Sequence, residues 1–225
     1  MENIKIAASL ICADPLNLKK EMHELISAAV DLIHFDVMDG LFVPRYGLYP
    51  EILQQIKQIE NCPAVDVHMM VSNPEDYIEL FAEAGAEYYN FHIESCNHPH
   101  RIIKKIQAAG MKPGIALNPD TPLNSLDWII QDLSMVVLMT INPGIVGHKF
   151  IPEMLEKIKN VRSLATERNP SLIIELDGGV TPETITNMIN AGADALVCGN
   201  GTIFRPHEDS IKNKTDYIRE IIKNQ

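Results

Sequence analysis

The sequence predicts an α/β fold, a single (β/α)8 TIM barrel spanning residues 1–225. Three observations carry that expectation. Eight short, apolar, β-branched runs recur along the chain. Each is followed by a polar loop, a proline and a stretch at helical spacing. Several of those stretches then close on a glycine-containing turn. An open doubly wound sheet would not need eight units, and no GxGxxG follows the first run. No linker, low-complexity stretch or second domain is visible.

The elements follow in order. The first run, residues 4–11, carries Ser9 near its end and leads through Asp14 and Pro15 into "LNLKKEMHELISAAV". The second, 32–38, reads "LIHFDVM", and its helix opens at Pro50. The third, 64–71, holds Asp66 and His68 before Asn73 and Pro74; the fourth, 88–93, holds His92, with Glu94 just beyond and Pro99 after it. The fifth, 114–117, is followed by Asn118, Thr121 and Pro122, and the sixth, 135–141, by Asn142 and Pro152. The seventh, 172–176, contains Glu175 and leads to Asp177, Thr181 and Pro182; the eighth, 195–198, leads to Asn200 and Pro206. Most runs are continuously apolar, as strands covered on both faces require. Proline suits the first helical turn, where its missing N–H would be unpaired anyway. Asp14, Asn73, Thr121 and Thr181 are the residue types that cap helix N-termini. "AEAGAE", "QAAGMK" and "NAGADA" supply glycine at helix ends.

Hydrophobic residues are 46% and charged residues 22%, ordinary for a globular domain. A net charge of −11 argues against a nucleic-acid partner but leaves room for a local phosphate pocket. No apolar run is long enough to span a membrane. The four cysteines, Cys12, Cys62, Cys96 and Cys198, form no CxxC pair or disulfide framework. The opening "MENIKIAASL" has no secretory pattern, so a cytoplasmic location is expected.

In this barrel chemistry sits at the C-terminal ends of the strands, and polar residues collect there. His34 and Asp36, two apart, point to one side of their strand. Asp66 with His68, and Glu175 with Asp177, repeat that spacing. Imidazoles and carboxylates converging at one mouth can bind a divalent metal, the partner that would make a buried Asp36 tolerable. Taken singly, each histidine reads as an ordinary hydrogen-bonded core residue; the repetition argues otherwise. Three glycine-bearing loops, "NPGIVGHKF", "DGGV" and "CGNG", follow the last three strands. Single glycines there would be turn residues, but three successive loops suit a phosphate cradle. A sugar phosphate would span metal and cradle. Metal and carboxylates beside a carbonyl suit proton abstraction through an enediolate.

Together "SLICAD", "HFDVMDGLFVP", "VDVHMMV", "FHIES", "GIALNPDTP", "MTINPGIVGHKF" and "LDGGV" resemble the ribulose-phosphate 3-epimerase family nearly end to end. The resemblance implies one divalent metal ion, zinc, iron(II), manganese or cobalt, held by His34, Asp36, His68 and Asp177. It implies that Asp36 and Asp177 are the acid/base pair on opposite faces of C3. Ser9 and His68 would touch the substrate, and Gly144, Ile145, Val146, Gly147, Gly178, Gly179, Gly199 and Asn200 would hold its phosphate. Met38, Met70 and Met139 would line the reacting centre. A homo-oligomer is implied, and the substrate is D-ribulose 5-phosphate or a six-carbon relative such as D-allulose 6-phosphate. The chain departs from the family at Arg45, where Asn is usual, in the bulkier "YGLYP", and in the phosphate loop at Ile145, Val146 and His148.

Two other classes compete. An orotidine-decarboxylase-type barrel would carry Asp-x-Lys-x-x-Asp at a strand end, which is absent, and no lysine stands among the rim residues for Schiff-base chemistry. An inactive sugar-phosphate-binding paralogue would not need both carboxylates and both histidines.

Overall fold

Eight parallel strands close into one barrel in sequence order. The computed structural model describes residues 4–144, 147–205 and 209–225. The strands are β1 (Lys5–Ser9), β2 (Leu32–Met38), β3 (Ala64–Met70), β4 (Tyr88–His92), β5 (Lys112–Leu117), β6 (Met135–Met139), β7 (Ile173–Asp177) and β8 (Ala195–Cys198). The helices are α1 (Leu18–Ser27), α2 (Pro50–Lys57), α3 (Ile78–Ala84), α4 (Pro99–Ala108), α5 (Met154–Arg168), α6 (Pro182–Ala191) and α7 (Ile211–Lys223).

The expected strands are all present, with β2 and β8 at the expected bounds. β5 starts two residues earlier than expected, because Pro113 still offers its carbonyl to Ser134 N at 2.8 Å. The fifth unit differs from expectation. Between β5 and β6 the chain makes only 3-10 turns, at Leu123–Leu126 and Ile130–Asp132. Its Asn-, Ser- and Asp-containing segment favours such turns over a long helix.

Pro50, Pro74, Pro99 and Pro182 open helical turns as expected. Pro15 and Pro152 sit in the turn before a helix, Pro122 borders the first 3-10 turn, and Pro206 lies outside the described residues. Of the expected caps, Thr181 works: it forms a reciprocal capping box with Thr184. Asp14 instead folds its own loop, accepting from Leu16 N at 3.0 Å and Asn17 Nδ2 at 2.6 Å. Asn73 makes no side-chain cap bond, and Thr121 turns to Glu94.

All seven residues of β2 are buried, and the two-residue period divides them. Ile33, Phe35 and Val37 join the apolar shell between barrel and helices, with Leu53, Ile56, Phe81 and Ile103. Burying a side chain such as Phe35 contributes about 1.5–3 kcal/mol. The inner face fills in layers. Its lower part is apolar, built from Ala7, Leu32, Tyr88, Ala116, Met135, Val137 and Val197. Above it the register sets His34 beside Asp66, then Asp36 beside His68, then Met38 beside Met70; across the barrel Met139 pairs with Asp177. Inner residues two apart are therefore one layer apart, which places His34, Asp66 and Glu175 below the mouth rather than at the strand ends.

Candidate active site

Strand β2 carries its own problem: a buried Asp36 in an apolar strand. Three side chains hold it. Ser9 Oγ donates to Asp36 Oδ2 at 3.1 Å, and Asp36 Oδ1 lies 3.3 Å from both His34 Nε2 and His68 Nδ1. Asp177 joins from β7, its Oδ2 lying 3.5 Å from His68 Nδ1 and 3.7 Å from His34 Nε2. The two imidazole nitrogens are 3.2 Å apart. One ligand atom from each of these four residues lies within 4.8 Å of every other.

That spacing fits a cation. A tetrahedral site with bonds of about 2.0–2.2 Å has edges of about 3.4 Å, and two imidazoles with two carboxylates suit a first-row divalent metal. The electrostatics agree. Burial pushes His34 down, but Asp66, Asp36 and Glu175 outweigh it and hold the imidazole well above its ordinary value. Burial likewise lowers His68, yet its bonds to Asp177 and Asp36 raise it overall. Burial pushes Asp36 up, but His34 and His68 keep it below the usual carboxylate range. The pocket thus draws positive charge to its centre.

A second layer supports it. His34 Nδ1 faces Asp66 Oδ2 at 2.5 Å and Glu175 Oε2 at 3.4 Å. Both carboxylates are fully buried, and burial and the nearby Glu175 hold Asp66 well above its ordinary value. Among the described residues, Asp66 Oδ1 and both Glu175 oxygens find no hydrogen-bond partner.

Above the four-residue cluster opens a cavity of about 380 Å³. Ser9, Asp36 and Asp177 stand in its wall, with Met38, Met70 and Met139; His34 and His68 lie buried behind the carboxylates. The far side is Gly144, Gly147, Gly178, Gly179, Gly199 and Asn200. Ile145 and Val146 lie outside the described residues. Gly178 and Gly179 both take positive φ, +109° and +63°. A Cβ on Gly178 would meet Ile141 Cγ1 at 2.3 Å, and one on Gly179 would meet Phe150 N at 2.7 Å. Only glycine fits both backbone and space there. Gly201 of "CGNG" lines the cavity as well, with Cys12 and Thr181, which the sequence marked only as a cysteine and as a helix cap; Arg45 and His148, the departures, line it too. Asn118 and Asn142 stay out of its wall. A larger groove of about 760 Å³ runs along α1 past Lys19, Lys20 and His23, but among the described residues no such cluster converges on it.

Asp39, just past the end of β2, has a structural task. Its Oδ1 accepts from Leu41 N and Phe42 N and its Oδ2 from Ser72 N, all at 2.8 Å, tying the loop after β2 to the end of β3. Asp39→Ala is expected to cost about 2 kcal/mol of stability while metal content stays unchanged. Thermal denaturation and metal analysis check this; loss of metal without loss of stability would give Asp39 a different role.

A closed parallel barrel with carboxylates and histidines gathered under its C-terminal mouth, opposite a run of glycine loops, defines a (β/α)8-barrel enzyme. Sequence comparison narrows the class. Residues 5–204 match the ribulose-phosphate 3 epimerase family, and the chain belongs to that family, as an epimerase of the isomerase class. It is 43% identical to the ribulose-phosphate 3-epimerase of Bacillus subtilis over 198 residues, 88% of this chain and 91% of that one. It is 39% identical to that of Methanocaldococcus jannaschii over 217 residues, 96% of this chain and 90% of that one. Among solved structures, KGPDC from Streptococcus mutans superposes with a TM-score of 0.75 at 13% identity, covering 98% of both chains. At that identity the likeness is one of fold. Among the described residues no helix is long and apolar enough to cross a membrane.

Proposed function

We propose that this chain is a metal-dependent 3-epimerase interconverting D-ribulose 5-phosphate and D-xylulose 5-phosphate. The observation that carries this reading is the convergence of His34, Asp36, His68 and Asp177 at the floor of a cavity whose other wall is the glycine run. A divalent cation held by those four residues would supply positive charge to stabilise the negative charge developing on the substrate oxygens at C2 and C3. Asp36 and Asp177 act as base and acid: one takes the C3 proton, and the other returns one from the opposite face, inverting the centre. Ser9 orients Asp36 through its hydroxyl. Met38, Met70 and Met139 keep the reacting face apolar. Backbone N–H groups of the glycine loops, with Ile145 and Val146 between Gly144 and Gly147, hold the phosphate. Product formed in deuterated water should carry deuterium at C3; inversion without solvent deuterium would remove the two-base scheme. Cytoplasmic action is part of this reading, supported by four free cysteines; homo-oligomeric assembly rests on the family likeness.

The substrate's length follows from two anchors. Strands β2, β3 and β7 set the reacting end, and the loops after β6, β7 and β8 set the phosphate end. A ketohexose 6-phosphate inserts one more carbon between them, roughly 1 Å of reach, and misplacement on that scale costs about a hundredfold in rate. The glycine positions match the family pattern, which favours five carbons; Arg45 and His148, which line the cavity, would have to meet a sixth carbon's hydroxyl in the alternative, an allulose 6-phosphate epimerase. We expect kcat/KM for D-ribulose 5-phosphate to exceed that for D-allulose 6-phosphate at least about tenfold, or ~1.4 kcal/mol. The reverse ordering at matched metal and pH would retire the five-carbon assignment and leave the mechanism standing.

A further inference from the structure

His68 is joined to a second histidine on the side away from the cluster. Its Nδ1 is the atom that faces His34, Asp36 and Asp177. Its Nε2 lies 2.9 Å from His92 Nε2 on β4. His92 is fully buried, and its Nδ1 lies 3.1 Å from Glu94 Oε2 at the rim. Glu94 is held in turn: Asn118 N donates to its Oε1 at 2.8 Å, and Thr121 Oγ1 donates to the same oxygen. The loop carrying those donors is tied down by Lys157, whose Nζ donates to the carbonyls of Asn118 at 2.7 Å, Pro119 at 3.0 Å and Thr121 at 2.6 Å.

Proton counting along this row admits one arrangement when His68 offers a lone pair to a cation. A neutral imidazole has one N–H and one lone pair. If Nδ1 keeps its lone pair, the proton of His68 sits on Nε2 and is donated to His92. His92 Nε2 must then accept, so its own proton sits on Nδ1 and is donated to Glu94, an acceptor anchored by the loop after β5. We infer that Glu94 and His92 are positioning residues: the row Glu94–His92–His68 sets the tautomer and ring orientation of His68, so that Nδ1 is presented to the cation. His34 is set in the opposite sense, with Nδ1 on Asp66 and Nε2 toward the centre. The two imidazoles thus present different nitrogens, each fixed by its own acceptor. Partners of this kind are worth about 10–100-fold in metal affinity.

The inference rests on the metal reading above, and the experiment separates the two. Metal-free protein is titrated with Co(II) against a competing chelator. In His92→Phe, a ring of similar shape replaces the acceptor beside Phe42, which already packs on His92 with ring centres 4.8 Å apart. Its Co(II) affinity should fall about 10–100-fold, while His92→Gln, which keeps an acceptor, should stay within about threefold of wild type. Circular dichroism and melting curves confirm folding; if His92→Phe does not fold, Glu94→Ala replaces it, with a loss of more than about threefold expected. Unchanged affinity in the acceptor-less variant overturns the positioning role. So does an equal loss in His92→Phe and His92→Gln, which would mark a packing role. A wild type that binds no Co(II) overturns the metal reading itself, and this inference with it.

Discussion

Asp177→Asn is expected to lower epimerase turnover by at least about 10³-fold. The side chain loses its charge at the point where its Oδ2 faces His34 and His68. On the proposed mechanism it then neither accepts the C3 proton nor completes the four-residue ligand group. The effect is local, because Asn has the same shape and the backbone around it is held independently: Thr140 N and Thr140 Oγ1 both donate to the Asp177 carbonyl, at 2.8 and 3.1 Å. Melting temperature should therefore change little beside activity. Steady-state assays on D-ribulose 5-phosphate, with metal content measured on the same samples, check this. Near-normal turnover in a metal-loaded Asp177→Asn variant would sink the acid/base assignment.

The second large effect is expected at the phosphate end. Gly147→Asp places a carboxylate in the cavity wall where the phosphate is proposed to bind. Gly147 has φ of +86°, a conformation Asp tolerates better than most residues, and an added Cβ meets nothing within 4 Å. Charge, rather than clash, is therefore what the variant tests. A like charge at about 4 Å costs about 1 kcal/mol per unit charge in water and about 4 kcal/mol near a protein surface. KM should rise by about 10- to 1,000-fold, with Co(II) affinity unchanged. Gly179→Asp is a blunter instrument, since its Cβ would strike Phe150 N and move backbone as well as charge. Unaltered KM together with lost metal affinity in Gly147→Asp would show that this loop serves the other end of the site.

Much of this molecule is readable in one dimension because a parallel barrel repeats a local rule. Strands covered on both faces must be apolar throughout, so "LIHFDVM" announces its own bounds, and polar residues at such strands are costly enough to demand a reason. The pairs His34–Asp36, Asp66–His68 and Glu175–Asp177 are visible for that reason, and so are the glycine loops. The fifth unit was not readable, because the segment between β5 and β6 mixes apolar side chains that suit a helix with turn-forming side chains that suit 3-10 geometry. There the turn-forming side chains prevail.

The sequence by itself determined the fold class, the eight strands and the side chains able to do chemistry, since these follow from periodicity, burial cost and side-chain type. Only the tertiary structure decided depth and partnership. The β2–β3 register puts His34 beside Asp66 and Asp36 beside His68, and barrel closure brings Asp177 of β7 to both histidines. It also decided that Asp36 and Asp177 stand in the cavity wall with the imidazoles behind them, and that His92, alike in type to the other two, backs His68 instead of joining the cluster. The physical reason is that spacing along one strand tells which side chains share a face, whereas height and neighbours on the inner face depend on how eight strands are staggered when the sheet closes.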